Sequence, residues 1–358
     1  MKQLLAIAIS ILCLIHTSTS FNVKLFKKVV KKMSKDLYFQ KDFIDNVINI
    51  LEREPYYYDW TPFSNNYTFD CDYSQSYPPA TSVHRLRPND IRVVAALGDS
   101  LTAGLGSIAK NVDGLSIEYR GRSWSIGGDL DLSQLVTMPN ILKKFSPKLT
   151  GYSTGSNVVF NENENAGLNM AISGKEANNI PSQIDRLIRK MKTLRNIDFN
   201  RDWKLITLFI GGNDLCRFCF SPDKFSPESY INDIKIGLDM LYRYVPRVFV
   251  NFVSVLNVSL VSKLNNGMTC SVLHRLECNC GAFPVGNQSE ELKVYIDQYH
   301  NYTQALVDSG RYDKRDDFTI VVQPFFIDFQ VPTLEDGSPD YSYLAPDCFH
   351  FSTKGHGK

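Results

Sequence analysis

Five consecutive apolar residues, Val93–Leu97, followed at once by Gly98-Asp99-Ser100, constrain this chain more than any other stretch. A strand with one face in water alternates polar and apolar residues. An unbroken run rich in β-branched valine instead reads as a strand buried on both faces of a sheet. Gly98 breaks the run, and the small residues after Ser100 can open a helix. Ser100 therefore falls where a strand gives way to a helix, at the edge of an open α/β sheet where ligands bind. At a helix N-terminus its own N–H can help to hold a developing negative charge. Serine is also a common helix N-cap, and this stretch by itself fits either role.

Further strand candidates follow at Leu168–Ile172, Lys204–Ile210, Arg247–Leu256 and Phe318–Gln323. Helical segments separate them, at about Pro181–Leu194, Pro227–Tyr244 and Glu290–Ser309. Strand and helix in alternation predict an α/β fold, a parallel sheet covered on both faces. The domain is expected to begin near Pro88 and run over 88–358, with Gly114–Thr137 an irregular region whose aromatic stretch Tyr119–Asp129 suits a loop over a site.

Three of the expected strands end alike, in Gly98-Asp99-Ser100, in Ser173-Gly174 and in Gly211-Gly212-Asn213-Asp214. In a parallel sheet these ends share one edge. A glycine offers a bare N–H and an asparagine a side-chain N–H₂, and beside a serine these are the donors that an oxyanion hole needs. Near the end of the chain, Asp347 and His350 are spaced to share one turn. The aspartate there can accept the Nδ1–H of the imidazole, leaving Nε2 to take the proton of Ser100. His356 is the fallback base; His84, His274 and His300 lie in a connector or in expected helices.

With these residues assembled, the chain resembles the GDSL-type (SGNH) hydrolases, and within them the phospholipase B-like branch. Four blocks carry the resemblance in order: Gly98-Asp99-Ser100-Leu101, Asn169 to Gly174, Gly212-Asn213-Asp214 and Asp347-Cys348-Phe349-His350. Branch-like stretches accompany them, YRGRSWSIGGD (Tyr119–Asp129) and APDCFHFSTKGH (Ala345–His356) among others. The resemblance implies a flavodoxin-like three-layer sandwich around a five-stranded parallel sheet. It implies Ser100 as nucleophile, His350 as base and then acid, Asp347 as its partner, and an oxyanion hole from the Ser100 and Gly174 N–H groups and the Asn213 side chain. No metal or organic cofactor is expected, and the implied substrate is a phospholipid or lysophospholipid. The family usually continues with a further helix beyond the point where this chain stops, so the domain is expected to be truncated at its C-terminus.

Two other functions fit parts of the pattern. A carboxylesterase acting on another lipid or an acylated sugar would use the same chemistry. A non-catalytic lipid-binding relative would be expected to lack a triad or oxyanion residue, and none is lacking. The G-x-S-x-G elbow of α/β-hydrolases is absent, since Thr102 stands where its second glycine would be.

Residues 1–20 join one lysine to an apolar stretch, Leu4–Ile15, and small polar residues, which reads as a secretory leader cut after Ser20. The exported protein is expected to be secreted or to stay in the lumen of the secretory pathway, with no transmembrane segment. Export makes Cys71, Cys216, Cys219, Cys270, Cys278, Cys280 and Cys348 candidates for disulfides, with one left over. No histidine sits at zinc-ligand spacing beside them. Asn66, Asn257, Asn287 and Asn301 are glycosylation sequons, with Asn257 poorly placed after a strand. Residues 21–87 read as an N-terminal extension, helical over 21–53 and then a connector. Its lysines, Lys24 to Lys35, crowd one helix face, which suits packing with a solvated basic face or contact with an anionic membrane surface. A net charge of +1 over 358 residues and the lack of a matching motif give no sign of nucleic-acid binding.

Overall fold

The computed structural model describes residues 78–159 and 164–357, with Phe69, Cys71 and Asp72. The leader, the basic helix at Lys24–Lys35 and the sequon Asn66 lie outside the described residues.

The strands are β1 (Ile91–Gly98), β2 (Ile117–Glu118), β3 (Asn157–Val158), β4 (Trp203–Phe209), β5 (Val248–Val253) and β6 (Phe318–Gln323). The longer helices are α1 (Met138–Phe145), α2 (Ile180–Thr193), α3 (Pro227–Tyr244), α4 (Gly267–Glu277) and α5 (Gln288–Asp308). Four strands form one parallel sheet in the order β1-β4-β5-β6, and β2 pairs antiparallel with β3 as a small ribbon. Among the described residues, no helix is long and apolar enough to cross a membrane.

Alternate residues of β1 feed two cores, which explains its unbroken apolar run. Val93, Ala95 and Leu97 pack with Ile180, Ile184 and Leu187 of α2, Ile234 and Leu238 of α3, and Ile296 of α5. Val94 and Ala96 pack on the other face with Ile126, Leu142 of α1 and Leu149. Period-two side-chain direction thus buries both faces of this strand.

The ladder holds four strands where five were expected, and the difference lies at 168–172. This segment runs along the outer edge of β1 and bonds to it: Ala96 N–H to Leu168 C=O, Met170 N–H to Ala96 C=O, and Ile172 N–H to Gly98 C=O. Regular pairing stops because the Gly98 N–H, which would continue the ladder to Met170 C=O, goes instead to Gln183 Oε1 at 2.9 Å; on the outer side of the segment Asn169 Oδ1 accepts the Ala171 N–H at 3.1 Å. The same asparagine donates to Thr102 C=O at 2.9 Å. A side chain that takes a strand's backbone N–H competes with the ladder, and between this segment and β1 only the single bridge Ala96–Asn169 survives.

Candidate active site

Ser100 opens a four-residue helical turn, Ser100–Ala103, directly after β1. Asp99 is the N-cap of that turn, its Oδ1 accepting the Leu101 N–H at 3.0 Å. The capping role open to Ser100 is therefore filled by its neighbour, and the Ser100 hydroxyl is free for another bond. That bond runs to His350 Nε2 at 2.7 Å. His350 Nδ1 lies 2.7 Å from Asp347 Oδ2. With Asp347 ionised, the ring proton sits on Nδ1, and Nε2 is left as an acceptor for the hydroxyl.

Asp347 is fully buried, and burial by itself would raise its pKa. The charge of His350 and the hydrogen bonds from the His350 side chain and the Phe349 and His350 N–H groups outweigh burial and hold it below the usual carboxylate range. A carboxylate that stays ionised supports an imidazolium forming beside it. The fallback base, His356, is placed differently. Its Nδ1 faces the N–H of Trp124 at 3.4 Å, and burial, then the charge of His350, push its pKa down to about 3.

The donors expected around the hydroxyl have different surroundings. The N–H groups of Ser100 and Gly174 have no acceptor among the described residues. Gly174 sits at φ +74°, in the left-handed region that glycine tolerates. Asn213 donates from Nδ2 to Lys175 C=O at 3.1 Å and faces Asp99 Oδ2 at 3.4 Å. Burial raises the Asp99 carboxyl to about 6, against the lowering effects of the Leu101 N–H, His350 and Asn213.

Several supporting residues carried no motif signal. Gln183 of α2, fully buried on the apolar stripe with Ile180, Ile184 and Leu187, takes the Gly98 N–H at 2.9 Å and donates to Gly98 C=O at 2.8 Å. A glutamine on an otherwise apolar stripe was the available cue. Buried Arg120 pairs with Glu118 at 2.6 Å and donates to the carbonyls of Ala171 and Asn169. Ser173 Oγ donates to the other oxygen of Glu118 at 2.7 Å. These bonds tie the β2 region to the segment that ends in Gly174.

Helix α4 touches the Asp347–His350 loop at three positions one or two turns apart. Cys270 is joined to Cys348, which itself lies at φ +59°. His274 Nε2 faces Cys348 C=O at 3.3 Å. Glu277 has a ligand-type oxygen within 4.8 Å of those of Asp347 and His350, the one His/Cys/Asp/Glu group among the described residues close enough to share a metal ion. Asp347 Oδ2 and His350 Nδ1 are already bonded to each other. Burial, and then the charge of Asp347, push the Glu277 carboxyl well above its usual range.

The profile of GDSL-like lipases/acylhydrolases matches residues 94–358, which hold all of these groups. The chain belongs to this family. It is also similar to the mammalian proteins named phospholipase B1, membrane-associated. Identity is 45% over 285 residues with the mouse protein, covering 78% of this chain and 19% of that one. For the rat protein it is 44% over 298 residues, and for the human protein 45% over 297, each covering 81% of this chain and 20% of the relative. The chain thus spans about a fifth of the length of these relatives. In this GDSL-like acylhydrolase the remaining cysteines pair as Cys216–Cys278 and Cys219–Cys280, with Cys71 outside the three disulfides.

Proposed function

We propose that this acylhydrolase is an exported serine esterase that cleaves acyl esters of phospholipids or lysophospholipids through an acyl-serine intermediate. The observation that carries the reading is the continuous chain Asp347–His350–Ser100, with 2.7 Å at both links. Ser100 Oγ attacks the ester carbonyl while His350 Nε2 takes its proton. The carbonyl oxygen becomes an oxyanion held by the Ser100 and Gly174 N–H groups, and Asn213 turns one N–H from its protein partners to complete the set. His350 then protonates the departing alcohol, and the acyl-serine is hydrolysed by water activated at the same nitrogen.

In this reading 168–172 is the fifth strand position of the SGNH fold, loosened so that Ser173-Gly174 can turn toward the nucleophile. Export is supported by the leader-like residues 1–20 and by three disulfides. Asn287 and Asn301 are exposed and suit glycosylation, whereas the Asn257 side chain is occupied by Ser259. The phospholipid preference is carried by the similarity to the mammalian relatives.

The test is a panel of lysophospholipid, phospholipid and simple carboxylic esters run on the protein and on Ser100→Ala, with a fluorophosphonate probe for the reactive serine. Ser100→Ala is expected to lose probe labelling and to lower kcat by roughly 10⁴–10⁶. Undiminished labelling of the variant removes Ser100 as nucleophile, and turnover of simple esters alone removes the phospholipid assignment.

A further inference from the structure

Between β6 and the Asp347–His350 loop runs an irregular segment, Pro324–Asp340, which the four blocks leave without a role. It is unusually apolar for a surface segment. Phe325 is 54% exposed, Leu334 52% and Ile327 36%. Phe326 anchors it from beneath, stacking on Phe209 at 5.0 Å and on Phe351 at 6.0 Å. Phe329 lies 6.0 Å from Phe351, and Trp124 meets Phe325 edge-on at 5.6 Å.

This aromatic cluster holds the chain neighbours of the two reacting residues. It includes Leu101, the residue after Ser100, and Phe351, the residue after His350. Its inner rings are buried and its outer rim stands in water, a state that favours cover by an apolar group. The charges on the segment are Asp328, Glu335, Asp336 and Asp340, and it has no lysine or arginine. That sign disfavours a phosphate head group or an anionic membrane surface as the covering partner and leaves an uncharged alkyl chain.

We propose that the cluster of Trp124, Phe325, Phe326, Phe329 and Phe351 binds the acyl chain of the ester attacked by Ser100, with Pro324–Asp340 as its outer wall. The proposal rests on the acyl-serine reading of the site and adds where the chain lies. Each methylene covered by the cluster is worth about fourfold in affinity. Losing two rim phenyl groups should therefore cost roughly tenfold or more for a chain long enough to reach them.

Two arms test it, one independent of turnover. In the first, 9,10-dibromostearate is titrated into the Ser100→Ala protein and tryptophan fluorescence is read. Saturable quenching is expected, most of it lost in Ser100→Ala/Trp124→Phe. The half-saturating concentration should rise about tenfold when Phe325→Ala and Phe329→Ala are added. Absent quenching, quenching indifferent to Trp124→Phe, or an unmoved half-saturation overturns the proposal even if no ester is turned over.

In the second arm, kcat/KM is measured on monomeric octanoyl and acetyl p-nitrophenyl esters for the otherwise native chain. The octanoyl-to-acetyl ratio should fall about tenfold in Phe325→Ala/Phe329→Ala and recover in part with Phe329→Leu, mainly through KM. An equal loss on both esters, or a loss confined to vesicle-borne substrate, overturns the assignment. Far-UV circular dichroism and thermal melts of each variant establish that it is folded.

Discussion

Replacing Arg120 by methionine isolates the support beneath the expected oxyanion donor. Arg120 is 8% exposed and Glu118 2%. The guanidinium binds Glu118 Oε2 through Nη2 at 2.6 Å and through Nε at 3.0 Å, and donates to Ala171 C=O at 2.9 Å and Asn169 C=O at 3.3 Å. An exposed pair of this kind would contribute about 0–1 kcal/mol. Here the burial decides otherwise, because methionine leaves the Glu118 carboxylate out of water with only Ser173 Oγ for company. Breaking such a buried pair costs about 3–5 kcal/mol, a large share of a typical stability of about 5–15 kcal/mol.

The control is Glu118→Gln/Arg120→Met, which removes the stranded charge while glutamine keeps an acceptor for Ser173. Its stability should return most of the way to that of the unaltered protein. Its kcat should remain depressed, because the carbonyls of Asn169 and Ala171 are no longer tied down and the turn at Gly174 is free to drift. Urea unfolding at pH 7 followed by circular dichroism, with kcat on a short-chain ester, separates the two effects. An Arg120→Met protein within about 1 kcal/mol of the parent, or a double variant no more stable than the single, would refute the buried-charge reasoning.

Three further outcomes are expected. In Gly98→Ala the new Cβ would lie 2.5 Å from Phe209 C=O and 2.5 Å from Thr102 Oγ1, so the strand end must shift; both melting temperature and kcat should drop, and an unchanged kcat would show that Ser100 tolerates the shift. Asn213→Ala should lower kcat by roughly 10²–10³ with little change in KM, and an effect confined to KM would contradict an oxyanion role. The Asp214 carboxyl, buried and raised to about 7, binds its proton more tightly folded than unfolded, so its contribution to stability is full below its ordinary value near 4 and is lost as pH rises through about 7. Thermal melts at pH 5 and pH 8 should therefore show a smaller fall on alkalinisation in Asp214→Asn than in the parent; equal falls would exclude Asp214 as a source.

How much of the site could be read from the chain depended on whether a residue acts locally. The spacing of Asp347 and His350 is a local fact, and the two meet at 2.7 Å. The hydroxyl at the end of β1 was likewise legible, because a strand stop followed by small residues is a local pattern. The stretch alone left Ser100 open between cap and nucleophile; Asp99 takes the cap and His350 takes the serine hydroxyl, a choice that only the distant histidine decides. The fifth strand was overread because Leu168–Ile172 has the right composition, while Gln183, distant in sequence, takes the Gly98 N–H that would continue the ladder.

The order of residues along the polypeptide determined which segments are strands, which are helices and which polar groups stand at strand ends, since these follow from side-chain period and backbone preference over a few residues. Tertiary structure alone decided that α4 reaches the Asp347–His350 loop through Cys270 and His274, that Gln183 holds Gly98, and that the aromatic rings of Phe209, Phe326 and Phe351 gather in one cluster with Leu101, the residue after Ser100. Those partners are far apart in sequence, and each contact forms only when packing of the sheet brings their elements together; no local preference encodes it.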